Sequence, residues 1–156
     1  MRLKYASIMI TGCLLFSSIS GAADQFLADN DFVRNAEQAA NQEVADARLA
    51  FKNSRHSDVR KAAQIMERDG LTANRRLAAL AIEKGWPSPS LDTPENLPEY
   101  SDSRFIDQQI KAQRDAIAFY KAEALNGADT DLQTFARETL PILQHSLASL
   151  QNLRSS

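Results

Sequence analysis

Residues 86–100, Trp-Pro-Ser-Pro-Ser-Leu-Asp-Thr-Pro-Glu-Asn-Leu-Pro-Glu-Tyr, carry four of the chain's five prolines, and Gly85 stands immediately before them. Proline lacks the N–H that a helix interior needs and pushes the residue before it toward extended backbone, so no helix crosses this stretch. Gly followed by Pro is also the order expected just past a helix C-terminus. At about 3.3 Å per residue the stretch can reach roughly 50 Å. A helix of about 26 residues is only roughly 39 Å long, so such a link can run the full length of a bundle. The arrangement that uses it is an all-α, ferritin-like four-helix bundle with a long connection between helices 2 and 3.

On either side of the link the chain reads as two pairs of helices, with no sustained strand alternation. Asn30 or Asp31 can cap a first helix reaching about Lys52, and Ser57 a second that stops at Gly85. Ser101 or Asp102 opens a third, ended by Gly127, and Thr130 a fourth running to about Leu153. On a helical wheel each apolar stripe has one polar or weakly apolar gap. The first stripe, rich in alanine and read as a close-packing face, contains Glu43; the second is interrupted by Gly70 with Asp69 at its edge. The third has Gln113 where its series calls for an apolar residue, and the fourth has Ser146 at its edge with His145 turned outward. A carboxylate inside a stripe needs a partner, which predicts a Glu43–Gln113 pair across the bundle or a Glu43 side chain reaching the seam's rim. Asp69-Gly70 reads as a break, with Thr72 capping a new helical segment.

Upstream, Arg2 and Lys4 precede an apolar run from Tyr5 to Ile19 and then Ser20-Gly21-Ala22-Ala23. That order predicts a secretory signal peptide over 1–23 and a single bundle domain over 24–156, periplasmic or secreted. The run is about 15 residues against roughly 20 for a bilayer crossing, so no transmembrane span is expected in the mature chain. Ile10-Thr11-Gly12-Cys13 offers the alternative of a lipoprotein anchored at Cys13. Loss of the signal takes two of the 18 basic residues and leaves 16 against 20 acidic, a formal charge of −4, with no basic footprint for nucleic acid. The single cysteine leaves with it, and with it structural disulfides and thiolate chemistry. No catalytic constellation or cofactor motif stands out.

The gap positions carry a resemblance. Phe32-Val33 and Glu43-Val44, Ala63-Gln64-x-Met66 through Asp69 with Ala73-Asn74, Ile110-Lys111-Ala112, and Thr139-Leu140-Pro141-x-Leu143 resemble the exported bacterial family called domain of unknown function DUF4142, placed among ferritin-like bundles. Members of that family typically carry His where this chain has Gly70, Gln113 and Ser146; His145 falls one residue early. The resemblance therefore implies the fold, but it leaves only Glu43 and Asp69 of the polar cluster. There is no Glu-x-x-His, and two carboxylates would make at most a weak site for a hard cation with waters. No metal and no cofactor are expected. The favoured function is an exported, non-catalytic bundle that binds another envelope or secreted protein; the alternative is a ferritin-like metal-binding or oxidative-stress protein with a degenerate site. Trp86 and Tyr100, with Leu91 and Leu97, either cover the bundle or anchor such a partner.

Cleavage by signal peptidase I predicts a soluble mature protein beginning at Ala23 or Asp24, checked by intact mass. A diacylated Cys13 at the N-terminus would overturn this.

Overall fold

The computed structural model describes residues 20–87 and 99–155. Helix α1 spans Ser20–Asn53, α2 Ser57–Lys84, α3 Asp102–Asn126 and α4 Thr130–Ser155, and there is no strand among the described residues. None of these helices is long and apolar enough to cross a membrane. Cys13 and most of the expected signal lie outside the described residues.

The helix ends follow local chemistry with three corrections to the sequence reading. First, Asn30 and Asp31 lie inside α1, which is already helical at Ser20, the first described residue. No proline interrupts residues 20–31, and a residue suited to capping is tolerated inside a helix that continues through it. Thr130 opens α4 as expected, and the second correction is at α2, where the cap shifts by one: His56, in extended backbone, precedes Ser57. Asp129 precedes α4 and accepts the N–H groups of Asp131 at 2.9 Å and Leu132 at 3.1 Å, two donors that an N-terminus would otherwise leave unmet. Gly85 ends α2 as expected, at φ 68°, with Trp86 N–H donating to the Ala81 carbonyl at 2.8 Å. That left-handed conformation is cheap only for glycine.

The third correction concerns Gly70. Helix α2 runs unbroken past it, and Thr72 caps nothing: its hydroxyl donates back to the Arg68 carbonyl at 2.8 Å. Gly70 is instead a point of close approach. A Cβ there would lie 2.9 Å from Val44 Cγ2 and 3.4 Å from the Ala40 carbonyl oxygen, so α1 and α2 touch where α2 has no side chain.

Short turns at 54–56 and 127–129 fold α1 onto α2 and α3 onto α4 as antiparallel hairpins, and the hairpins pack α1 against α3 and α2 against α4. At one end Trp86 packs with Phe32, Tyr120, Leu132 and Phe135, and Lys84 reaches Asp129 at 2.7 Å. At the other end Tyr100 packs against a cluster containing Ala50, Val59, Phe105 and Leu150. The link therefore leaves α2 at one end of the bundle and enters α3 at the opposite end. The 28 residues of α2 make about 42 Å, within the reach of the proline-rich stretch. Helices α2 and α3 consequently run parallel across the diagonal, and the packed neighbours are all antiparallel. Leu91 and Leu97 fall outside the described residues.

Trp86 is only 7% exposed and Tyr100 is half-buried.

Gly70→Ala should destabilise the fold. Overpacking costs about 1–3 kcal/mol, the gain in helix propensity is about 1 kcal/mol, and Val44, stiff at χ1, yields little. The expected net loss in urea denaturation is on the order of 1 kcal/mol, recovered when Val44→Ala is added. A more stable single variant would show that the helices can separate freely.

Candidate functional site: a polar layer at mid-bundle

The apolar interior forms two clusters, one toward each end, and the polar gaps of the four stripes meet between them. Glu43 comes from α1, Asp69 and Gly70 from α2, Gln113 from α3, and Thr139 and Ser146 from α4. Gln113, 2% exposed, donates from Nε2 to Glu43 Oε1 at 3.1 Å, which is the cross-bundle pair its spacing predicts. A second pair lies one turn away: Gln109 Nε2 donates to Asp46 Oδ2 at 2.9 Å, and Gln42 holds the other oxygen at 2.9 Å. The sequence reading missed it, although Asp46 follows Glu43 by three residues and Gln109 precedes Gln113 by four, the spacings that keep side chains on one helix face. Asp69 is occupied by Arg68, whose guanidinium reaches it at 2.8 Å.

Burial pushes the Glu43 carboxyl up to about 7; the Gln113 hydrogen bond opposes this, and the nearby Asp69 and Asp46 charges add to it. Burial likewise raises Asp46. Two turns further along α3 from Gln113 the buried Tyr120 phenol is also raised, by burial first and then by the Glu43 charge.

Neither imidazole joins this layer. His145 is exposed on α4. His56 is exposed at the start of α2 and contacts Asp102 Oδ2 at 2.5 Å. Ser54 donates to the same oxygen at 3.0 Å, and the Tyr100 hydroxyl donates to the other. Serine, histidine and aspartate thus come together, but hydroxyl and imidazole both point at the carboxylate. A relay needs the imidazole between the other two, so this cluster ties the α1–α2 turn to the start of α3.

A ferritin-like metal centre does not fit these donors. Gly70, Gln113 and Ser146 supply no imidazole or carboxylate, Glu43 is engaged by an amide and Asp69 by a guanidinium. No group of three His, Cys, Asp or Glu among the described residues is arranged to hold a metal ion.

Beside the layer lies a cavity of about 90 Å³, walled by Ala36, Ala40, Ala73, Phe135 and Leu143, with Glu43 and Asp69 in its lining. It opens along the seam between α2 and α4, where Thr72, Arg76 and Ile142 are exposed. The alanine face of α1 therefore does two things: it admits α2 closely at Gly70 and leaves this space beside it. A second buried carboxyl, Glu123, is raised to about 7 at the Trp86 end of the bundle, by burial first and then by the charges of Asp29 and Asp129.

The family described as "Domain of unknown function (DUF4142)" matches residues 17–153, nearly the whole chain, and the protein belongs to it. No curated protein and no solved structure matches the chain.

Because the native carboxyl of Glu43 holds its proton up to about pH 7, against an ordinary 4.5, its contribution to stability is fully present below pH 4.5 and is lost as pH rises through 7. Glu43→Gln removes that titration. Comparing urea unfolding at pH 5 and pH 8, the variant should gain on wild type by on the order of 2 kcal/mol at the higher pH. A difference that does not change with pH would contradict the burial of this carboxyl.

Proposed function

We propose that this member of the family is an exported bundle of the periplasm or envelope that acts by binding another envelope or secreted protein rather than by catalysis. Export is supported by Arg2 and Lys4, the apolar run over 5–19 and the small residues Ser20 to Ala23. The observation that carries the reading is at mid-bundle, where a ferritin-like protein would assemble metal ligands from four helices. Here the Glu43 carboxyl is closed by the Gln113 amide, and Gly70 and Ser146 stand at the other two places. A bundle arranged this way keeps its scaffold and its surface while its centre lacks the ligand set of a metal site. The outer faces of four helices then form the area on which a partner can act.

Protein purified without added metal should hold well under one equivalent of iron, zinc, copper or manganese, and a chelator should leave its melting temperature unchanged. A chelator-induced fall of more than about 5 °C, on the order of 1 kcal/mol or more for a domain of this size, would replace the binding reading with a metal-dependent one.

A further inference from the structure

The charges around the mid-bundle cavity do not balance. Arg68 satisfies Asp69 at 2.8 Å. Arg76, at the mouth, is held by Glu138 at 2.5 Å and lies over the Phe135 ring at 5.1 Å, so its charge is spent outside. Glu43 is met by the neutral amide of Gln113, and Asp46 beside it on α1 by the neutral amides of Gln42 and Gln109. Helix α3 adds only the Tyr120 phenol, and α4 only the hydroxyls of Thr139 and Ser146. A carboxylate has about four acceptor positions, of which Gln113 takes one at Glu43. The Glu43 carboxylate, met only by a neutral amide, thus faces a space whose walls are mostly apolar.

We propose that this cavity binds a small primary organic ammonium, with its charge on Glu43 and its short alkyl body against Ala36, Ala40, Ala73 and Leu143. The size sets the length of the guest: a dry cavity of about 150 Å³ holds benzene, so about 90 Å³ holds roughly four non-hydrogen atoms. Its three N–H donors suit a carboxylate together with the hydroxyl oxygens of Thr139 and Ser146. The Thr139 hydroxyl gives its proton to the Phe135 carbonyl at 2.7 Å and keeps its lone pairs available. An anion would meet Glu43 and Asp69, and the one cation of the lining, Arg76, is held by Glu138. A neutral alcohol would leave the carboxylate charge uncompensated in a desolvated place. The inference rests on the reading of the protein as a binder rather than an enzyme, and it adds a ligand class to that reading.

The test is a titration of the purified protein with n-propylammonium at pH 8 and constant ionic strength, followed by backbone amide NMR, with n-propanol and propionate as matched probes. Saturable shifts around Glu43, Ala73 and Ser146 are expected for the ammonium, with affinity at least about tenfold above either other probe. Glu43→Gln should weaken it by about tenfold or more. Ala39→Leu, at an exposed position of the cavity lining, should block it without touching the carboxylate. Asp115→Asn, an exposed acid outside the cavity lining and paired with Lys111, should leave it unchanged. Equal binding of propanol, no saturable shift, or unaltered affinity in folded Glu43→Gln or Ala39→Leu protein would overturn the site. Any of these in metal-free protein overturns the ammonium site alone, whereas conversion of the amine or uptake of a metal would overturn the binding reading beneath it.

Discussion

A carboxyl in the middle of a helical bundle imposes terms on everything around it. Removing Glu43 from water raises its proton affinity, and an unpaired charge there would cost several kcal/mol. The bundle meets this with a neutral amide from the facing helix rather than a cation, and repeats the device one turn away with Asp46 and Gln109. Amides satisfy geometry but leave the charge in place. The layer therefore fixes the register of α1 against α3, since a slip of either helix would separate both pairs at once. It also divides the interior into two apolar clusters that share no side chains.

Around that layer the small residues decide how near the helices come. Gly70 lets α2 press on Ala40 and Val44 of α1, while the α2–α4 side lacks such a close seam and leaves the cavity. The polar ties at the bundle's ends then align the hairpins. Asp102 gathers Ser54, His56 and Tyr100 at one end; Lys84 bridges Asp129 and Asp131 at the other, where Asp29 also accepts the Ala128 N–H at 3.2 Å. Of these side chains His56 and Asp131 are exposed and the rest are partly or fully buried.

Much of this was legible because it depends on local rules. Gly85 supplies the left-handed turn that ends α2, and Glu43 and Gln113 interrupt stripes that are otherwise apolar, so each points inward. What the sequence concealed depends on a neighbour. Gly70 in isolation looks like a breaker; only Val44 on another helix shows that it is a contact. Asp46 and Gln109 look like surface residues until their helices meet. The Ser54, His56 and Asp102 cluster joins residues nearly fifty positions apart through a link whose length, but not path, could be read. The place of Asn30 and Asp31 inside α1 escaped for the opposite reason, since no nearby residue forces a helix to begin there.

The diagonal link also sets how the two hairpins find each other. Each hairpin closes through a three-residue turn and can form from contacts near in sequence, so the long-range step is a docking of two preformed halves. A tether of about fifteen residues holds one half at an effective concentration in the millimolar range relative to the other. Dilute chains therefore dock with themselves. In a concentrated compartment, or when the halves are briefly apart, an identical hairpin from a second copy presents the same face and the same polar layer. Exchange of halves then requires no new contact, only a tether long enough to span.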